Sequence, residues 1–507
     1  MLNSPRRLFG LLLLLTLTTH ASFAQSNKKL PSAEKIVDNY LKAIGGKKAA
    51  SALRDATYEW TIGLNNQPIG TARTQRKAPA SERLELTFGN GQIISAANAR
   101  SAWEIGLDKH LRTLTGLEST ATKLRAALDS SRLINFKKAN VLARVVSLAD
   151  LATEPAYIVE FSTRSGARVQ YYFSVKSSLI TKVQGDKTRV VLADYRSEQG
   201  ILEPHRVRTN FGGPGELTLV LQSVKYNTGI DEKVFDPPAA AESLDIATLL
   251  RELARNQDEL EQRVSEYAFT QTETDREIND KGELKKETVK VYEVYPMPNR
   301  EPVQKLISEN GVPLSAERAA KEDRRVQEEF QKAERERGDD EKKAARRRAE
   351  QQKKENEGTE ISPFLKACEF VSPRREIFSG REAIVFDFRP RAGFHPKTRE
   401  ENLIAKLVGV MWIDPVDKQV IRLEARLAEG FKMAGGLLVS LKPGAALVIE
   451  QTRMAQGVWL PRFAQVNLSV KVLLFGGGDY NKTIEWSDYK HFAGDVKGYK
   501  IEAPTKP

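Results

Sequence analysis

Apolar and polar positions alternate with a period of two through most of this chain, which is the mark of sheet with one apolar face. TYEWTIGL sets Tyr58, Trp60, Ile62 and Leu64 on one side, RLELTFG sets Leu84, Leu86 and Phe88, and SAWEIGL sets Trp103, Ile105 and Leu107. AYIVEFS, VQYYFSV, LITKV, VVLADY, PHRVRTNF and ELTLVLQSVKYN continue the pattern to Asp236-Pro237-Pro238, which closes the first unit. A helical period appears in PSAEKIVDNYLKAIGG, where Ile36, Val37, Tyr40, Leu41 and Ile44 form one stripe, Ser32 is placed to cap the start and Gly45-Gly46 to end it. A second helical stretch is predicted near Ser119–Leu133.

The order then restarts. An amphipathic helix over Ser243–Val264 takes the place of the first, and EYAFTQTETDREI with ETVKVYEVYP reads as a long hairpin. Strands resume at Phe370 and run to about Phe492. Val169–Phe211 and Val408–Phe463 are weakly similar copies: a strand ending on an aromatic (Phe173, Trp412), a polar turn, a second strand, then Q-G-x-x-x-P and a third. The second copy is longer, and AEGFKMAGGLLVSLKPGAALV, between Ala428 and Val448, is the place for the difference. It reads either as a longer hairpin feeding the core or as a mobile flap hinged at Gly435-Gly436. The predicted class is α+β: two tandem curved antiparallel sheets, open half-barrels covered by helices, over residues 25–238 and 239–507.

The remaining segments depart from this pattern. Residues 1–24 combine Arg6 and Arg7, the apolar run LFGLLLLL and small residues before Ala24-Gln25, the form of a cleaved secretory signal. Gln25 in place of Cys argues against lipidation, so the expected address is the periplasm. Residues 315–357 are dense in Lys, Arg, Glu and Asp, with Val326 and Phe330 the notable apolar pair, and read as an exposed charged helical insert. That insert is either a solvated spacer or a docking element for envelope membrane proteins.

Composition narrows the classes of function. Net charge is +12, distributed along the chain, which favours anionic partners such as lipid headgroups, while export argues against nucleic acid. The single cysteine, Cys368, excludes an internal disulfide and reads as a buried apolar residue. His110, His205, His395 and His491 are isolated, and no nucleophile elbow, phosphate loop or metal-ligand spacing occurs. No catalytic residue, metal or cofactor is therefore assigned.

The element order, with G-I-x-x-P-H-R-V-R-T leading to L-x-V-x-S-V-K-Y-N and F-x-P-P, resembles the periplasmic carriers that sort lipoproteins to the outer membrane, the LolA/LolB-type half-barrels. Gly200, Ile201, Pro204, Arg206, Arg208, Leu219, Leu221, Val224, Phe235 and Pro237 carry the likeness, which covers Ala33 to Pro238 and more loosely Ser243 to Phe492. The resemblance implies an unclosed barrel whose apolar concave face takes acyl chains of lipids or lipoproteins. Shielding roughly 15 methylenes from water at about 0.8 kcal/mol each gives on the order of 12 kcal/mol, so no catalytic group is needed to make such a groove useful. The expected lining is Trp60, Phe88, Trp103, Tyr171 and Phe173 in the first unit, and Trp412, Phe431, Met433, Leu437 and Trp459 in the second. An alternative is a non-catalytic envelope scaffold docking partners through sheet edges and the charged helix.

Overall fold

A computed structural model describes residues 30–150, 154–186, 188–210, 215–264, 266–279, 281–297, 301–336, 362–433, 439–454, 457–472 and 476–491. The predicted leader, the Gly435-Gly436 hinge and residues 337–357 of the charged segment lie outside them.

Ser32 caps helix α1 (Ala33–Ala43) by accepting a hydrogen bond from the Lys35 amide, and α2 (Lys47–Ala52) follows. The first sheet is β1 (Asp55–Leu64), β2 (Gln67–Lys77), β3 (Ser81–Phe88), β4 (Gly91–Ala97), β5 (Ala102–Ile105) and β6 (Leu111–Thr113). Helix α3 (Gly116–Ser130) then intervenes. β7 (Leu142–Asp150), β8 (Pro155–Ser162), β9 (Arg168–Ser174), β10 (Ile180–Gln184), β11 (Arg189–Glu198), β12 (Ile201–Asn210) and β13 (Leu217–Tyr226) complete it. Its spatial order is 6-5-4-3-2-1-13-12-11-10-9-8-7, so the last strand pairs with the first and both ends stay open.

The second sheet repeats this path. After α4 (Ile246–Val264) come β14 (Tyr267–Ile278), β15 (Leu284–Tyr295), β16 (Val303–Glu309) and β17 (Val312–Pro313), and then α5 (Ala316–Arg335). β18 (Cys368–Phe378), β19 (Arg381–Pro390), β20 (Leu407–Asp414), β21 (Gln419–Leu427), β22 (Phe431–Met433), β23 (Val439–Leu441), β24 (Ala446–Arg453), β25 (Trp459–Val472) and β26 (Gly476–His491) follow. The main order is 17-16-15-14-26-25-24-21-20-19-18, again with last beside first. The added residues of the second copy form the hairpin β22–β23, whose β23 also pairs with β25.

In this parallel layout α5 stands in the slot of α3, between the early and late strands. The described part of the charged segment is thus a docked helix. Val326 is buried with Met297 and Val303, and Phe330 packs beside them. The composition predicts an exposed insert, and the docked helix departs from that expectation. The apolar pair at i, i+4 spacing, with the ion pairs Asp323–Lys305 (2.7 Å) and Arg318–Glu309 (3.1 Å), holds it against β16.

Each sheet buries one face under its helix. Ile36, Val37 and Leu41 of α1, Ile44 just after it, and Leu124 and Leu128 of α3 pack on Val159, Phe161, Tyr171 and Phe173. Leu249, Leu250 and Leu253 of α4 pack on Ile384, Phe386, Met411 and Ile413. Gly45 marks where α1 meets the first sheet. Its φ is +127°, and a Cβ there would sit 2.4 Å from the Gly200 carbonyl oxygen.

Candidate functional site: a chamber between the two sheets

Strand register decides which aromatic side chains share a face. Trp60, Ala72, Leu86 and Ile93 are successive cross-strand partners on the helix-covered face of the first sheet. Trp103 belongs to the other row, Thr57, Gln75, Arg83 and Ala96. It is fully buried beneath the Glu232–Phe235 turn, with its indole N–H donating to the Phe235 carbonyl at 3.0 Å and the Arg83 guanidinium over its ring. Grouping Trp103 with Trp60 is therefore corrected: β4 and β5 are too short to show by alternation alone which way they face.

Trp60 and Phe88 pack in the cluster around Tyr58, Ile62 and Leu221, and Trp60 donates to Thr74 Oγ1 at 3.2 Å. Tyr171 and Phe173 lie under α1 and α3, and the Tyr171 hydroxyl donates to Asp129 at 2.7 Å. In the second sheet Trp412 is fully buried with Val385, Val410 and Trp459, on the face opposite α4. Trp459 donates to Asp417 at 2.9 Å. Phe431 is buried with Leu427 and Ala445. Met433 lies on β22, its side chain outside the described residues, as is all of Leu437. The structure brings these aromatics together in separate cores, and none of them lines the cavity described next.

That cavity, of about 1580 Å³, lies between the two sheets. One wall is the face of the second sheet that points away from α4. Val410 and Trp412 share this face with Glu424 and Arg422, which pair in turn with Val448 and Glu450 and then Gln465 and Phe463. The opposing wall is α3 with the segments around 134–141 and 163–168. Gly409 lines it on β20, where a Cβ would lie 2.0 Å from the Glu424 carbonyl oxygen.

A buried polar junction fixes the two walls. Arg374 of β18 donates to Glu376 (2.7 Å), to Asp387 (3.1 Å) and, across the junction, to Thr113 Oγ1 of β6 (2.6 Å). Thr113 donates its amide to Glu376 at 2.8 Å, and Ser101 donates to Asp387 at 2.6 Å. Arg100 pairs with Asp236 and approaches Asp387 at 3.6 Å. The Asp236 that ends the first unit in the sequence is therefore part of the contact. Burial raises its carboxyl above the ordinary 3.8, against the pull of Arg100.

Inside the chamber charge is unevenly matched. Nine Lys and Arg side chains line it against three Glu. Glu424 accepts from Arg422 (2.8 Å) and from the Gly116 amide at the start of α3 (3.3 Å). Glu450 is held by Arg422 and Arg462. Arg426 donates its Nε–H to the Ala99 carbonyl at 2.9 Å, and burial pushes its guanidinium below the ordinary value. Burial also pushes the Lys123 ammonium down; Glu424 opposes that shift and Arg426 adds to it. Leu117, Leu124 and Ile134 supply apolar surface on the same wall.

Sequence reasoning missed these residues because charged positions alternating with Leu, as in V-I-R-L-E-A-R-L, are what a solvated face also looks like. The usable signal was that β21 is a central strand whose polar row is continued by Glu450 on β24 and Asn467 on β25. Among the described residues, no group of three or more His, Cys, Asp and Glu is placed to hold a metal ion, and no helix is long and apolar enough to cross a membrane.

No family model matches the chain, and neither does any curated protein. Solved structures do. A LolA superfamily protein from Nitrosomonas europaea is 12% identical, with 41% of this chain and 99% of that one covered, at a TM-score of 0.29. An outer membrane lipoprotein-sorting protein domain from Vibrio parahaemolyticus is 11% identical over 40% and 97%, at 0.28. The Pseudomonas aeruginosa MucA/MucB complex matches 89% of this chain and 94% of that one at 8% identity and 0.18. These values describe likeness in fold alone; the reading of the site rests on its own geometry.

Proposed function

We propose that this protein is a non-catalytic carrier of the cell envelope that holds acyl chains of lipids or lipoproteins in the chamber between its two sheets. The observation that carries the reading is the chamber itself. At about 1580 Å³ it exceeds the roughly 300–1,000 Å³ of ordinary small-molecule pockets, and one of its walls is helical and apolar at Leu117, Leu124 and Ile134. An acyl chain leaving a membrane needs apolar surface and no reacting group, and Leu117, Leu124 and Ile134 offer such surface on one wall. The hollow invoked lies between the two sheets rather than within each one.

Native mass spectrometry of protein purified from the periplasm tests the reading, with a neutral acyl probe, 1-oleoylglycerol, added to delipidated material. Stoichiometric lipid, weakened in an Ala127→Trp variant that sets an indole on the α3 wall, is the expected result. A clean apo mass that also refuses the probe would overturn it.

A second reading, docking of protein partners, draws on β7. It is the outermost strand of the first sheet, and Val146 and Leu148 are exposed on it. Leu148→Lys should abolish partner capture while leaving acyl binding intact if that reading holds.

A further inference from the structure

The chamber has a polar end that the carriage of a bare acyl chain does not require. Two carboxylates at that end are already engaged. Arg422 and the first amide of α3 hold Glu424, while Arg374 and Ser101 hold Asp387 near the same wall. Lys123, two turns into α3, lines the same chamber as Arg422, Glu424 and Arg426, yet no described carboxylate lies within ion-pair distance of it or of Arg426. The Arg426 guanidinium spends one N–H on the Ala99 carbonyl and has its terminal nitrogens left to offer. Two half-buried cations from opposite walls thus line one cavity, which also carries Leu117 and Leu124. Holding like charges together costs free energy that an oxyanion between them would return.

We infer that Lys123 and Arg426 form the seat for the anionic head, phosphate or carboxylate, of an amphiphile whose chain lies along the Leu117–Leu124 wall. This deepens the carrier reading and rests on it. Arg426 supplies the planar fork that suits an oxyanion, and Lys123 supplies a point charge from the facing helix.

The experiment titrates the mature full-length chain with dodecyl phosphate, dodecanoate and neutral dodecyl maltoside, each below its micelle concentration. Parent protein is compared with Lys123→Gln/Arg426→Gln and with Arg73→Gln, which removes an exposed ion pair on the first sheet far from the chamber. The anionic probes should bind at least about tenfold tighter than the maltoside in the parent and in Arg73→Gln, and that preference should vanish in the double variant with maltoside affinity unchanged. The anionic probe that gains more identifies the head. Equal affinity for charged and neutral probes in the parent overturns the head seat while leaving the carrier reading standing. Failure of every probe overturns both. Because Arg426 also bonds Ala99, Lys123→Gln alone is measured beside the double variant. If it retains the full preference, Lys123 is removed from the site whatever the double variant does.

Discussion

Replacing Arg374 by Met tests whether the junction holds the two sheets as one body. The side chain is 2% exposed and donates to Glu376, Asp387, Thr113 and the Ser372 carbonyl. Met fills much of the same volume but leaves two carboxylates behind, with side-chain exposures of 4% and 0%. Both keep some support: Glu376 from the Thr113 amide and hydroxyl at 2.8 and 2.5 Å, Asp387 from Ser101. Stranding one member of a buried ion pair costs about 3–5 kcal/mol, and the retained bonds place this case toward the lower end. The loss falls where β6 meets β18, so the variant should unfold in two steps where the parent unfolds in one. Urea denaturation followed by tryptophan fluorescence reads both effects, with Trp103 on one side of the junction and Trp412 on the other. Adding Glu376→Gln and Asp387→Asn should restore much of the loss, since a neutral, well-packed replacement of a buried ionic cluster is often tolerated. A single transition displaced by less than about 0.5 kcal/mol, the effect of an ordinary surface change, would refute the claim that this network joins the sheets.

Three further outcomes follow from named contacts. Leu250→Ala empties a fully buried position between α4 and the second sheet and should cost about 2–5 kcal/mol by denaturant midpoint. Gly45→Ala drives a methyl against the Gly200 carbonyl at a positive φ and should lower stability by at least about 1 kcal/mol, with amide exchange accelerated first in α1 and β12. Cys368 is fully buried, and burial pushes its thiol up to about 12, so iodoacetamide should leave the folded protein unmodified at pH 8 and label it promptly in denaturant.

Much of this architecture is legible in the chain. The α1 stripe and its Ser32 cap, the α4 stripe, the long β14–β15 hairpin and the extra residues between β21 and β24 all fall where period and turn residues set them. β2 was harder to read. Gln67–Lys77 carries small and charged residues, yet it is paired on both sides, with Ala72 and Thr74 buried. Its place comes from its neighbours, and a period-two pattern of small residues gives little contrast. The site was harder still. Aromatic residues announced a binding face because they are large and apolar, but side chains of that kind are also what closes a core, as Tyr171 and Phe173 do under α1 and α3, and Trp412 and Trp459 do against Val385 and Val410.

The repeated strand path explains why the chamber lies where it does. A single open sheet with one helix-covered face leaves its other face to water, and in the second sheet that face carries Arg422, Glu424 and Arg426. When a second copy is joined in tandem, the helix of the first copy provides a lid for the exposed face of the next. Here α3 takes that place: its first amide meets Glu424, and Ala99 near it meets Arg426. A polar sheet face cannot pack tightly on an amphipathic helix without stranding its charges, so the two stay apart wherever an ion pair is not completed. The gap is then a consequence of the mismatch, and it is amphipathic because one wall is a helix carrying Leu117 and Leu124 while the other is a row of arginines and glutamates. On this argument the chamber should close if the mismatch is removed. Changing Arg426 and Lys123 together to Leu should draw the walls inward, reduce the radius of gyration slightly by small-angle scattering, and raise the unfolding midpoint. An unchanged radius with a lower midpoint would show that the charges support the wall instead of holding it open.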